Sequence, residues 1–177
     1  PVHQARVSAV PLNWRWPGYQ RPKYQTELAG FCYWDMKSAV TVEVTPHHTN
    51  KIREVKIRPQ SYNISHKIEG GKIIFDLEEP ANITVEINGM HHALHLFANP
   101  PETNAPDPDD PDVLYFGPGI HDIGKTDLKE KKTVYISGGA IVFGAFEAHD
   151  LHNLTIRGRG ILDGSKIKRP DVKLSEK

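Results

Sequence analysis

Apolar and polar residues alternate in short runs through the first hundred residues of the chain. The alternation is clearest over residues 41–44, 54–58 and 83–87. A period of two places one face of a strand in a core and the other in water. Apolar runs over residues 72–77 and 93–97 predict two further strands. No segment before residue 99 shows the apolar period of a helix, so this pattern predicts an all-β region.

Turn signals separate the predicted strands. The strongest is Asn88-Gly89, which predicts a hairpin because both residue types tolerate a positive φ. Thr45-Pro46 and Glu79-Pro80 mark two other turns. Short strands at this spacing are typical of an antiparallel β-sandwich, and we predict one over residues 1–98.

The next segment, residues 99–112, is acidic and rich in proline. It contains no Lys or Arg and almost no apolar residue, so we predict an exposed linker. Asp107, Asp109, Asp110 and Asp112 carry the hard oxygen ligands that Ca²⁺ prefers. Their spacing lacks the glycine and the distal Glu of an EF-hand loop, so a solvated loop is the expected structure.

A repeat begins beyond the linker. Residues 134–144 align with residues 154–164 at an offset of 20, and a looser copy starting at Val113 lies 21 residues before the first. The alignment predicts three interior ladders in which the second copy stacks on the first: Val134 on Leu154, Ile136 on Ile156, and Ile141 on Ile161.

A period of about 20 residues built from short β-runs is typical of a solenoid. Leucine-rich repeats share this period, but their Leu/Asn template is absent here. Glycines at the predicted corners permit tight bends without a Cβ penalty. The predicted fold class is therefore all-β, an N-terminal antiparallel β-sandwich followed over residues 113–164 by the first coils of a right-handed parallel β-helix.

Residues 165–177 form a polar tail with no further copy of the repeat. The last coil would then have an open face with unpaired strand edges. We expect either the missing catalytic β-helix of a longer parent protein or a second chain to cover that face.

Three stretches carry a family resemblance: residues 113–124, residues 134–146, and the Ile-Arg-Gly-Arg-Gly-Ile-Leu-Asp-Gly run of 156–164. They resemble the opening coils of pectin-lyase-like β-helix enzymes, most closely the glycoside hydrolase family 28 polygalacturonases and the family 49 dextranase group. Residues 95–102 are similar to the sandwich-to-helix junction of such proteins, so the resemblance covers about residues 83–164. It implies a polysaccharide-degrading enzyme that hydrolyses O-glycosidic bonds with inversion, on a pectin-like or dextran-like substrate.

The resemblance also implies where catalysis occurs. In the family, paired aspartates on later coils act as acid and base, accompanied by Gly-His-Gly and Arg-x-Lys elements. None of these motifs occurs here in coil context, so we assign no catalytic residue and expect the aspartates downstream of this chain. Asp163 ends a predicted strand and is assigned to a structural corner. The alternative is a non-catalytic carbohydrate-binding or β-helix-capping assembly module.

Aromatic residues near the N-terminus form the candidate substrate-binding set: Trp14, Arg15, Trp16 and Tyr19. Rings beside an Arg suit stacking on sugar faces and pairing with uronate carboxylates. The competing interpretation is that the rings anchor this irregular segment to the sandwich or to the β-helix.

Charge and composition exclude several partners. Lys plus Arg and Asp plus Glu each number 22, so a net charge of zero disfavours nucleic acid. No apolar run reaches the roughly 20 residues of a membrane span, so we expect no membrane partner. The expected partner is a polysaccharide, met through the parent enzyme. A secreted or periplasmic location follows from the resemblance.

No metal or other cofactor is expected. The chain has ten histidines, and His91 and His95 would share a strand face. They would stand about 13 Å apart, too far for one zinc ion. The single cysteine, Cys32, lies among aromatic residues, which predicts a buried and inert thiol.

Overall fold

The computed structural model of the chain describes residues 2–8 and 26–167. These residues are mostly β-strand, with one short 3₁₀ turn at Gln60–Tyr62 and no α-helix among them. The all-β prediction is therefore confirmed. The chain divides into two compact units, Pro1–Glu102 (unit 1) and Thr103–Lys177 (unit 2).

Unit 1 contains eight described strands in two sheets. They are β1 (His3–Ser8), β2 (Thr26–Asp35), β3 (Val40–Val44), β4 (Val55–Arg58), β5 (His66–Glu69), β6 (Lys72–Leu77), β7 (Asn82–Ile87) and β8 (Leu94–Asn99). One sheet has the order β1-β2-β8-β7-β4 and the other β3-β6-β5. All five strands predicted from the pattern of residues 41–97 are present, and their ends lie within two residues of the predicted ones.

One pairing in unit 1 departs from the predicted antiparallel arrangement. β2 runs parallel to β8, from Gly30 opposite Leu94 to Asp35 opposite Asn99, whereas the other pairs of this unit are antiparallel. Parallel neighbours need a long crossover connection, and the strands β3 to β7 supply it. Alternation along a strand fixes which side chains face the core but not the direction of the neighbouring strand.

Residues from both sheets of unit 1 form one core. Alternate positions are buried on β6 and β7, as the period of two requires. The inward side chains of these two strands are Ile73, Phe75, Leu77, Ile83, Val85 and Ile87. Full burial of such a side chain contributes about 1.5–3 kcal/mol, so these strands supply much of the stability of unit 1.

The turn at Asn88-Gly89 forms as predicted, but it does not make a tight two-residue hairpin. φ is 59° at Asn88 and 120° at Gly89. The pairing of β7 with β8 begins at Val85 and Leu94, so the connection is longer. The Asn88 Oδ1 accepts hydrogen bonds from the backbone N–H groups of Arg53 and Glu54 at 2.8 and 3.3 Å. The side chain therefore ties this turn to the segment that precedes β4.

The described part of unit 2 consists of two parallel sheets of three strands each. The strands are β9 (Val113–Phe116), β10 (Gly119–Asp127), β11 (Thr133–Ile136), β12 (Ala140–Glu147), β13 (Thr155–Gly158) and β14 (Ile161–Asp163). One sheet has the order β9-β11-β13 and the other β10-β12-β14. Each sequence copy thus contributes one strand to each sheet.

The register of these sheets confirms part of the predicted alignment. In the second sheet Ile141 lies opposite Ile161 and Ile120 opposite Ile141. In the first sheet, however, Val134 lies opposite Ile156, so the predicted pairs of Val134 with Leu154 and of Ile136 with Ile156 are wrong by two residues. Asp150 and Asn153 adopt positive φ between β12 and β13, and this turn accommodates the longer connection.

The predicted interior ladder through Ile141 is also wrong, because this row faces outward. The core of unit 2 contains Val134, Ile136 and Val142 but not Ile141. Ile141 precedes the fully buried Val142 on β12, so it lies on the opposite face of the sheet. Its neighbour Ile120 is 75% exposed. The interior column of this sheet runs instead through Val142.

Two glycines of the repeat are required for a steric reason. Gly144 and Gly158 have φ of 152° and 133°. A Cβ at Gly144 would lie 2.3 Å from the carbonyl oxygen of Gly124, and one at Gly158 would lie 2.0 Å from that of Ile136. The preceding copy of the repeat therefore leaves no room for a side chain at Gly144, within β12, or at Gly158, at the end of β13.

Candidate functional site

The predicted substrate-binding residues Trp14, Arg15, Trp16 and Tyr19 lie outside the described residues. Their role stays a prediction. Part of the predicted polar tail, residues 168–177, also lies outside them. The candidate chemistry that the structure does describe lies on the outer face of β10-β12-β14, in the linker region, and in unit 1.

A row of polar and aromatic side chains crosses the outer face of β10-β12-β14. Asp122 lies opposite Phe143, and Phe143 lies opposite Asp163. These positions are two residues along from the exposed isoleucine row, so they share its face. The backbones of Asp122 and Asp163 are separated by two strand spacings, about 9.6 Å. Inverting glycosidases hold their carboxyl groups about 6.5–9.5 Å apart, so this pair merits comparison with a catalytic one.

The charge state of Asp163 does not suit a general acid. Asp163 accepts a hydrogen bond from the backbone N–H of Ser165 at 2.7 Å. Hydrogen bonds from the side chain and the backbone of Ser165, followed by the charge of Lys166, hold the pKa of Asp163 below its ordinary value. A general acid needs a raised pKa. Asp163 is therefore an ionised turn residue, which fits its assignment to a structural corner.

Asp122 is engaged as well. Lys166 Nζ lies 2.5 Å from Asp122 Oδ2 and 4.3 Å from the centre of the Phe143 ring. The lysine thus neutralises one carboxylate and covers the ring between the two. Both charged side chains are more than half exposed, so the ion pair contributes at most about 1 kcal/mol. Asp122 is therefore held in an ion pair, and Asp163 is held in a turn.

The acidic linker uses its carboxylates to shape turns. Asp107 and Asp110 accept hydrogen bonds from the backbone N–H groups of Asp109 and Asp112 at 3.0 and 2.9 Å. The carboxylate of Asp112 lies 2.6 Å from Lys132 Nζ. Among the residues that the structure describes, no group of three or more His, Cys, Asp or Glu side chains could hold a metal ion.

The largest cavity described in unit 1 lies between its two sheets and has a volume of about 600 Å³. Cys32, Val42 and Leu94 are among its apolar lining residues, and His48 and His92 stack beside it with ring centres 5.2 Å apart. Burial, followed by the charge of His92, lowers the pKa of His48. The pair therefore favours a neutral imidazole at His48.

Cys32 is half-buried in this cavity, whereas the sequence predicted a buried thiol. Burial raises the pKa of the thiol, so it stays protonated near neutral pH and is a poor nucleophile. The predicted inertness therefore has a physical basis even though the residue is only partly covered.

A second cavity in unit 1 was missed by the sequence analysis. It lies between the segment Tyr62–Ser65 and the turn that follows β6, Glu78–Ala81. The available signal was a tyrosine within a polar run between strands, facing a Glu-Glu-Pro turn later in the chain. Alternation does not indicate which loops meet, so this juxtaposition could not be found from the sequence.

No helix among residues 2–8 and 26–167 is long and apolar enough to cross a membrane.

In comparisons with known proteins, no family model and no curated protein matches the chain. The resemblance to glycoside hydrolases therefore stays a prediction, which rests on the residues that carry it and on the arrangement of the strands.

Proposed function

We propose that the chain is the N-terminal part of a polysaccharide-degrading glycoside hydrolase, with a β-sandwich followed by the first coils of a right-handed parallel β-helix. One observation carries this proposal. Three successive copies of the repeat each place one strand in each of two parallel sheets, β9-β11-β13 and β10-β12-β14. The likeness of residues 113–164 to pectin-lyase-like enzymes supports the same assignment.

Stacked coils suit an extended polymer as substrate. Side chains at the same position of successive coils form rows that cross the strands and run along the axis of the stack, as Asp122, Phe143 and Asp163 do. Successive positions in such a row are about 4.8 Å apart, close to the length of one sugar unit. A polysaccharide lying along the axis would therefore meet a regular series of side chains.

The proposed role of this chain in catalysis is indirect. Its described carboxylates on the coil face are engaged in a turn at Asp163 and an ion pair at Asp122. The acid and base are assigned to further coils of the parent enzyme. The interior columns support further coils, because Ile156 and Leu162 are 50% and 46% exposed while their neighbours Val134 and Val142 are fully buried.

Release of reducing ends from dextran and polygalacturonate tests this proposal. The natural gene product that contains this chain should hydrolyse one of the two, and proton NMR should show inversion at the anomeric carbon. The 177-residue chain alone should release none. Hydrolysis by the chain alone, abolished by Asp163→Asn, would contradict the assignment of that residue. A natural product inactive on both polymers would contradict the proposed activity.

A second function is a non-catalytic carbohydrate-binding or β-helix-capping module. It is favoured by the same engagement of Asp122 and Asp163, which leaves the outer row without a free acid. Here the open coil face would dock a second chain, and no hydrolysis would be found in any form of the protein. Both proposals include a secreted or periplasmic location, because polysaccharides such as dextran and polygalacturonate lie outside the cytoplasm.

A further inference from the structure

The second cavity of unit 1 has a volume of about 460 Å³. One side is formed by Tyr62, at the end of the 3₁₀ turn, and by the residues that follow it up to Ser65. The other side comprises the end of β6 and the turn after it, including Asp76, Glu78 and Glu79. A cavity of this size falls within the range of small-ligand sites, about 300–1,000 Å³.

Tyr62 provides an apolar surface in this cavity. Its side chain is 53% exposed. A single exposed aromatic residue is common on protein surfaces and indicates nothing by itself. Tyr62 differs because polar groups surround it within one cavity. An aromatic ring offers a flat face to the C–H groups of a sugar, and the phenol offers a hydroxyl to its oxygen atoms.

The polar groups around the ring are available to a ligand. Among the described residues, Glu78, Glu79 and Ser65 have no hydrogen-bond or ion-pair partner for their side chains, and all three are exposed. Asp76 accepts a hydrogen bond from Thr41 Oγ1 at 2.6 Å through Oδ1. Ionised carboxylates accept stronger hydrogen bonds than neutral groups do, and sugar hydroxyls are donors of the required kind.

The charge of the cavity limits which sugars fit. Three carboxylates line it, and no Lys or Arg is among its lining residues. A uronate carboxylate brought into the cavity would be repelled by each of them. A neutral sugar meets no such penalty.

We propose that this cavity binds a neutral glycan in preference to an acidic one. The inference rests on the proposed function in taking a polysaccharide as the ligand. It adds a binding site built from Tyr62, Ser65, Glu78 and Glu79, and a preference for neutral ligands that is set by the charge of the lining.

Affinity electrophoresis of the 177-residue chain in native gels tests the site. Dextran in the gel should retard the chain, and polygalacturonate should not. Tyr62→Ala should weaken the retardation about tenfold, from loss of ring contact with the sugar, whereas Tyr62→Phe should retain most of it. Met90→Ala is the matched control, because Met90 is 72% exposed and lies outside the cavity.

A charge variant tests the choice of sugar independently. Glu78→Gln combined with Glu79→Gln should weaken retardation by dextran and relieve the exclusion of polygalacturonate, whereas Glu130→Gln in unit 2 should change neither. Absence of dextran binding, or binding that Tyr62→Ala leaves unchanged, would overturn the inference. Tighter binding of polygalacturonate by the unaltered chain would overturn it too. These results concern binding by unit 1 and leave the hydrolysis assay of the natural product as a separate test of the proposed function.

Discussion

Unit 1 and unit 2 bury their apolar residues in different ways. In unit 1, two sheets cover each other, and inward positions of both sheets are buried alike, as at Ile73 on β6 and Val85 on β7 (0% and 1% exposed). In unit 2, burial depends on the position of the copy in the stack, since Val134 is 0% exposed and its neighbour Ile156 is 50% exposed. The two sheets of unit 1 therefore cover each other's apolar residues, whereas in the described part of unit 2 the strands β13 and β14 leave apolar side chains exposed.

The largest loss of stability is expected from a substitution at the corner glycine Gly158, where successive copies are in contact. Gly158→Ala places a Cβ against the carbonyl of Ile136 and puts Ala at a φ of 133°. We expect the unfolding free energy of unit 2 to fall by about 3 kcal/mol or more, because the backbone of the substituted residue would be strained and its Cβ would clash with this carbonyl group. Urea unfolding followed by far-UV circular dichroism would measure it.

Gly138→Ala is the control for this change, because it lies at the same kind of corner. Its added Cβ would meet nothing closer than the Cβ of Arg159 at 4.0 Å. All three tryptophans precede residue 103, so Trp fluorescence should show an unchanged transition for unit 1 in both variants. Equal stability of the two variants would contradict the tight packing between the copies.

A smaller effect compares covered and uncovered positions of one residue type. Ile136→Ala removes a side chain that is 5% exposed, and we expect a cost of about 3 kcal/mol. Ile156→Ala removes one that is 50% exposed, so about 1 kcal/mol is expected. Urea midpoints of the two variants give the comparison. In the natural product, a covering coil should raise the cost at Ile156 toward that at Ile136, and an unchanged cost would argue against such a coil.

The smallest expected effect concerns pH and unit 1. The pKa of His48 is lowered from 6.5 in the folded chain, so the unfolded state binds a proton more readily. The stabilisation is complete above pH 6.5 and is lost as the pH falls through the folded pKa. The urea midpoint by Trp fluorescence should therefore decrease between pH 7.5 and 5.5, and His48→Gln should reduce the decrease. His66→Gln, at an exposed position, should leave this decrease unchanged. An equal effect of the two variants would contradict the assignment of the pH dependence to His48.

Much of the strand content could be predicted because alternation reports burial directly. β6 and β7 show this, since every inward residue was visible as an apolar position in the sequence. The register of β11 on β13 could not be predicted to the residue, because the turn with positive φ at Asp150 and Asn153 changes the spacing between copies without changing the repeated residues.

The side to which a row faces was also not encoded by residue type. Ile120, Ile141 and Ile161 are as apolar as the interior column, yet they lie on the outer face. The cavity at Tyr62 depends on two segments separated along the chain, so no local pattern could reveal it. The predicted binding residues Trp14, Arg15, Trp16 and Tyr19 stay a prediction.

A pair of introduced cysteines tests most directly whether successive copies of the repeat stack as parallel strands in register. In a Cys32→Ser background, Ile141→Cys with Ile161→Cys places two thiols on one face of adjacent strands in register, about 4.8 Å apart at the backbone. Mild oxidation should form a disulfide in this chain, detected by intact mass. The control, Ile141→Cys with Leu162→Cys, puts the thiols on opposite faces and should not cross-link. A disulfide in the control variant, or the absence of a disulfide from both variants, would contradict the parallel arrangement of these strands.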